Sequence, residues 1–386
     1  MQLLMPRFTK FVSASAVIGL IALAVPIVAA TAIQPGSSAI TAGISIAAPN
    51  SCSATTSSLT PPEYHRLIPT THAPGSSELR VVTEMPLPGP PNRFDYESFD
   101  PTTGRLWMNH MNAGETLVLS TDSTRLVGMI TGVPRATGVL TVPSLHKTFV
   151  SAAGAHELVT IDDRTLKIVT RASGIQFPDG IAYVPGADVA GGAAKVFVSD
   201  ESGEADVVFD AGSGQKRSTI PLGGEAGNTH YDSISHCVLV AEQTTNELIA
   251  IDPISEKIVA RYPLPGAEHP HGFTMDEPGR LLFMTAEGNA RLLVIDMTTM
   301  KVIGTHTVGG TPDVLAWDPA WRRLYVASEG GVLSAFWADG TTLKPAGEYH
   351  ASHAHTVGLD TRTHRIYLPL QDIGGHPVLR VLAPSR

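Results

Sequence analysis

The chain has 386 residues, enough for one large domain or two of ordinary size. Its 36 glycines and 29 prolines, with only 6% aromatic residues, suit many short strands joined by turns rather than long helices. Asp and Glu outnumber Lys and Arg by 36 to 27, a net charge of −9, which argues against nucleic acid as a partner and gives no attraction to anionic membranes.

The N-terminus reads as an export signal. Arg7 and Lys10 form a short basic region, and the apolar run "FVSASAVIGLIALAVPIVAATA" extends from Phe11 to Ala32. It ends in small residues, so residues 1–32 are read as a signal peptide cleaved after Ala30 or Ala32, in preference to an uncleaved anchor that would be the chain's one membrane contact. Residues 33–77 are rich in Ser, Thr, Ala and Pro with little periodicity and read as a flexible linker. Cys52 lies in that linker and Cys237 in a strand, a placement that suggests no disulfide framework, and Cys237 is expected to be a small buried apolar residue.

From residue 78 to 386 the chain repeats. "FDPTTGRLWMNHMNAGETLVLSTDSTRLVG" from Phe99, "MDEPGRLLFMTAEGNARLLVIDMTTMKVIG" from Met275 and "WDPAWRRLYVASEGGVLSAF" from Trp317 follow one plan. Each unit is an apolar strand, an Asp-Pro-like turn and three further short strands. The turn after the first strand is marked at Asp100, Val142, Val184, Ser235, Asp276, Asp318 and Asp360, at spacings of 42, 42, 51, 41, 42 and 42. Insertions around "GADVAGGAAK" and "IPLGGEAG" account for the long interval. Seven units of four strands predict an all-β fold, a seven-bladed β-propeller. The last unit lacks a fourth strand, and "LRVVTEMPLPG" (79–89) matches the fourth-strand segment "KIVARYPLPG" (257–266). The N-terminal strand is therefore expected to complete the last blade and close the ring.

The units "RLYVAS", "ELVTIDDRTLKIV" and "LLVIDMTTMKVIG" resemble those of YVTN-type, YncE-like seven-bladed propellers, relatives of the lactonase-like propellers. The resemblance covers about residues 79–386 and implies the fold. Its relatives include sugar lactonases and a metal-dependent antibiotic lyase, but no catalytic signature of either can be matched here residue by residue.

Reading across the units at equal register locates a candidate site. Five residues before each turn stand Asp95, Thr137, Asp179, His230, His271, Asp313 and His355. Such side chains avoid a packed interior unless paired or ligated. At the end of the second strand stand Met111, Ala153, Glu201, Gln243, Glu287, Glu329 and Gln371, an outer ring on the same face. His230, His271 and His355, with Asp179, Asp313 and Asp95, are candidate ligands for a divalent metal: zinc, copper, iron or manganese, since imidazole with carboxylate suits these and calcium prefers oxygen alone. Glu287 and Glu329 are candidate proton carriers. Arg93 in "NRFDYESFD" is a candidate oxyanion clamp, with pairing to Asp95 or Glu97 as the plainer account. His269 and His353 precede the strands and are weaker candidates, and "GGEAGNTHYD" (223–232) is read as a long turn or a lid.

Two accounts of the inner ring stay open: a metal or small-ligand site, and His–Asp hydrogen bonds that tie the strands together. The expected protein is an exported, periplasmic or secreted monomer that binds a divalent metal ion or small ligand in a His/Asp-lined funnel. Whether it is an enzyme stays open between a metal-dependent, lactonase-like hydrolase and a non-catalytic binding or protein-interaction propeller at the cell envelope.

Overall fold

The computed structural model describes Cys52 and residues 79–189 and 191–384. The expected signal segment and, apart from Cys52, the expected linker lie outside the described residues. Among the described residues no helix is long and apolar enough to cross a membrane.

Strand β1 (Leu79–Pro86) is followed by the four strands of blade one, β2 (Glu97–Asp100), β3 (Arg105–His110), β4 (Glu115–Ser120) and β5 (Arg125–Thr131). Blade two holds β6 (Ala136–Val142), β7 (Lys147–Ala152), β8 (Glu157–Asp162) and β9 (Lys167–Ser173). Blade three holds β10 (Pro178–Val184), β11 (Lys195–Asp200), β12 (Ala205–Asp210) and β13 (Lys216–Pro221), and blade four β14 (Ala226–Asp232), β15 (Cys237–Glu242), β16 (Glu247–Asp252) and β17 (Lys257–Pro263). Blade five holds β18 (Pro270–Asp276), β19 (Leu281–Ala286), β20 (Arg291–Asp296) and β21 (Lys301–Thr307), and blade six β22 (Pro312–Asp318), β23 (Arg323–Ser328), β24 (Val332–Asp339) and β25 (Thr342–His350). Blade seven combines β26 (Gly358–Asp360), β27 (Arg365–Leu370) and β28 (Val378–Pro384) with β1. The result is a seven-bladed β-propeller of four-stranded antiparallel blades, and β1 pairs with β28 from Leu79↔Pro384 to Pro86↔Val378 as the closure argument requires.

The apolar patterning follows from stacking the blades. The middle strands are covered on both faces, so "TFVSA" in β7 and "LLFMTA" in β19 are continuously apolar or small rather than alternating. Apolar burial falls into seven clusters, one at each seam. Phe94, Leu106, Tyr367 and Leu379 fill the seam between blades seven and one, for example. Outermost strands such as β17 and β21 alternate exposed and half-buried positions. Lys167, Lys216, Lys257 and Lys301 open four of these strands, a charge that discourages edge-to-edge pairing.

On the face opposite the candidate site, turn carboxylates clasp the next blade. Asp232 accepts both terminal nitrogens of Arg280 at 2.8 and 2.7 Å, Arg322 reaches Asp276 at 3.1 Å, and His364 Nδ1 lies 2.7 Å from Asp318. The seam between blades seven and one is tied by Thr121 donating to Asp360 at 2.8 Å. Blades two and three carry Val142 and Val184 at the turn position and so have no such carboxylate. Blade three uses Lys195 instead, whose buried ammonium meets Glu256 and the Pro253 carbonyl of blade four, each at 2.6 Å.

The cysteines correct the sequence reading. Cys237 is buried as expected but not free: it is disulfide-bonded to Cys52, 185 positions away. Cys52 packs on the cluster between blades four and five, and its N–H donates to the Asp252 carboxylate. Nothing in the local sequence around Cys52 predicts this, because the pairing is set by where the ring carries blade four.

Two outcomes follow. Arg280→Ala leaves Asp232 buried without its partner, and should lower unfolding free energy by about 3–5 kcal/mol in urea titration; a loss under about 1 kcal/mol would contradict the clasp's role. Cys52→Ser should cost about 2–5 kcal/mol by the same assay, given the long loop the bond closes; an unchanged midpoint would mean the tether adds nothing.

Candidate metal centre at the channel mouth

The mouth is the end of the channel where the first strands begin, and glycines bring those strands close together. A Cβ on Gly272 would stand 1.8 Å from the Asp313 carbonyl oxygen, and one on Gly138 would stand 2.0 Å from that of Asp179. Second-strand hydroxyls then fix the register. Ser151 donates to the Asp179 carbonyl at 2.7 Å, and the Thr285 hydroxyl lies 2.9 Å from Gly272 O and 3.2 Å from Asp313 O. Backbone position, and with it side-chain position, is set by packing between blades.

Five of the predicted ring residues share this mouth: Asp95 (blade one), Asp179 (three), His271 (five), Asp313 (six) and His355 (seven). All five are buried. His271 Nε2 lies 3.5 Å from both Asp179 Oδ2 and Asp313 Oδ1. His355 Nε2 lies 3.2 Å from both Asp95 Oδ1 and Asp313 Oδ2, and its Nδ1 is 3.1 Å from Glu329 Oε1. Among the described residues, two sets offer three ligand atoms within 4.8 Å of one another: Asp95, Asp313 and His355, and His271, Glu287 and Asp313. The residues at this mouth can therefore hold a metal ion.

Electrostatics separates the roles. Burial opposes charge on His355, but Asp313, Asp95 and Glu329 outweigh it and push the imidazole up to about 10. The same balance, won by Asp313, Asp179 and Glu287, raises His271 well above its ordinary value. Glu329 is pulled down to about 2 by its hydrogen bond to His355, and by Arg93, whose Nη1 reaches it at 2.5 Å. So held, it is a clamped anion and a weak base. Burial lifts Glu287 to about 7 against the pull of His271, and lifts Glu201 to about 7 with help from Asp179. These two carboxyls, unlike Glu329, can exchange protons near neutrality.

Arg93 sits in the cluster and pairs with Asp95, as the plainer account allowed, but also with groups that account did not name. Its ion pairs are with Glu329, Asp313 and Asp95, and Glu97 is not among its partners. Glu97 is instead a buried carboxyl with no hydrogen-bond partner among the described residues, and burial pushes it well above the carboxylate range.

His230 is not brought into the cluster, and the reason is register. β14 ends at Asp232, three residues before the Ser235 marker, so blade four is aligned by "AGNTHYD" and not by "ISHC". The position equivalent to Asp179 and His271 is then Gly227, where a Cβ would lie 3.0 Å from the backbone of His271. His230 packs edge-on to Phe273, and burial lowers its imidazole to about 4. The stretch 223–232 is therefore mostly first strand and not a lid. Thr137 is structural, donating to the Pro178 carbonyl at 2.7 Å. His269 and His353 occupy left-handed turns ahead of their strands. His353 lines a groove of about 440 Å³ beside Glu329, outside the ring.

Tyr96 was missed. Its hydroxyl crosses the mouth from blade one to lie 3.2 Å from His271 Nε2, 3.3 Å from Asp313 Oδ1 and 3.4 Å from Asp179 Oδ2. Burial and those carboxylates hold the phenol well above its ordinary value, so it stays a neutral donor. No signal within the repeat marks it, because its partners come from blades three, five and six across the channel.

No family model matches the chain, and no curated protein matches it. Among solved structures, a chain of "Kuenenia stuttgartiensis Hydrazine Synthase" is similar at 14% identity with a TM-score of 0.63, covering 81% of this chain and 98% of that one. At that identity the likeness shows the fold alone. The resemblance to YVTN-type, YncE-like propellers thus stands for the seven-bladed architecture and no further.

The His355 shift gives a pH prediction for metal-free protein. Its folded value, about 10, is above the ordinary 6.5, so the stabilisation is fully present below about 6.5 and lost as pH rises through about 10. Urea midpoints should fall across that window in the wild type and fall less in His355→Gln; parallel profiles would contradict the assignment.

Proposed function

We propose that the protein is an exported propeller whose channel mouth binds a divalent metal ion through His271, Asp313 and Glu287, with Asp179 and Tyr96 around them. The observation that carries the reading is that ligand atoms of those three residues lie within 4.8 Å of one another at a buried site. Imidazole nitrogen with carboxylate oxygen suits zinc, copper, iron or manganese. Three protein ligands leave coordination open for water or a small ligand. Export is supported by the Cys52–Cys237 disulfide, a bond that persists in oxidising compartments, and by the apolar run at 11–32.

One observation favours a catalytic reading, metal-assisted hydrolysis of an ester or lactone. Glu201, lifted by burial to about 7 and outside both ligand triads, would be the proton acceptor, and Arg93 would hold the oxyanion. The non-catalytic alternative is a binding module at the envelope.

Titration of metal-free protein with zinc or manganese should raise the thermal midpoint, by about 2.7 kcal/mol of stabilisation at a hundredfold excess over Kd. His271→Ala should reduce the shift; an undiminished shift in that variant, or no wild-type shift with zinc, copper, iron or manganese, would refute the reading. Ester or lactone turnover that disappears on chelation would select the hydrolase, and metal binding without turnover the binding module.

A further inference from the structure

We propose that the mouth is a two-metal site in which Asp313 is the bridging carboxylate. This rests on the metal-binding reading above and extends it. The two ligand triads are not alternatives drawn from separate places, because Asp313 belongs to both. Its oxygens are divided between them. Oδ1 faces His271 Nε2 at 3.5 Å and the Tyr96 hydroxyl at 3.3 Å, while Oδ2 faces His355 Nε2 at 3.2 Å. A carboxylate that gives one oxygen to each of two neighbouring ligand sets is the arrangement that holds two cations about 3.5–4 Å apart in two-metal hydrolytic sites.

Charge supports the count. Asp95, Asp179, Asp313, Glu201, Glu287 and Glu329 converge on the mouth, and Arg93 is the one arginine or lysine paired with any of them among the described residues. Ligation requires neutral imidazoles, so the protons that His271 and His355 carry in the metal-free protein are lost; with all six carboxyls then ionised, the excess is five negative charges. One divalent ion cancels two of them and two ions cancel four. Burying carboxylates without such compensation is costly.

Arg93 marks the second position. Its Nη2 lies 2.8 Å from His355 Nε2 and 3.9 Å from Asp313 Oδ2, and its Nε lies 4.0 Å from Asp95 Oδ2. The guanidinium thus stands where an ion drawn to Asp95, Asp313 and His355 would sit. The Arg93 side chain is 36% exposed and its partner Glu329 is 39% exposed, so the pair can swing outward together as the ion enters. Arg93 is the placeholder cation of the metal-free protein.

The test is metal stoichiometry. Metal-free, tag-free protein is loaded with zinc, freed of excess metal and measured by elemental mass spectrometry, beside His271→Ala and His355→Ala. The proposal expects two equivalents in the wild type and one in each variant, with near-ultraviolet circular dichroism confirming that each remains folded. One equivalent in the wild type overturns the two-ion proposal and leaves the single-ion reading standing; none overturns both. Two equivalents retained by His355→Ala would also overturn the placement. Manganese loading of the wild type keeps the question open to test if a variant fails to fold. Two ions sharing Asp313 give an exchange-coupled electron paramagnetic resonance spectrum, and an uncoupled single-ion spectrum at saturation contradicts the bridge.

Discussion

The pairing of β1 with β28 is the constraint on which the rest depends. Seven wedge-shaped blades bury their apolar faces only if the ring is complete, and the last seam, with Phe94 and Leu106 on one side and Tyr367 and Leu379 on the other, exists only once the first strand joins the last blade. The same closure sets His355 beside Asp95, 260 positions away, and Glu329 beside Arg93, 236 positions away. Ring closure and site assembly are one event, and stability gained at the seam is what holds ionisable groups in a place they would not choose singly.

A buried mouth rich in carboxylates faces a conflict between desolvation and charge. The metal-free protein meets it in three ways: protons on His271 and His355, the guanidinium of Arg93, and carboxyls such as Glu287 and Glu201 lifted toward neutrality. Each is a substitute for positive charge. The clasps on the other face, Asp232 with Arg280 and Asp276 with Arg322, show the contrasting solution, in which each buried acid has a dedicated partner. That contrast is why the mouth reads as a site for cations and the opposite face as structure.

Much of this was legible in the sequence, because a propeller writes its register into repeated turns. Aligning Asp100, Asp276, Asp318 and Asp360 places Asp95, His271, Asp313 and His355 at one level without any coordinates. Blade four escaped because "YDSISHC" offers two candidate turns, and choosing Ser235 over Asp232 moved His230 onto the ring in place of Gly227. Tyr96 escaped because its partners, Asp179, His271 and Asp313, lie in three other blades, and the Cys52–Cys237 bond because it depends on where a distant segment crosses the ring. Periodic information survives in a linear reading; contacts made across the channel or from outside the repeat do not.

The central claim is that the mouth binds divalent cations through His271 and Asp313. Crystals of zinc-loaded protein, measured on both sides of the zinc absorption edge, would test it most directly. The account predicts anomalous density at the mouth, within coordination distance of His271 Nε2 and Asp313 Oδ1. Density confined to surface histidines, or none at all, would contradict it and reduce the ring to hydrogen bonds between blades.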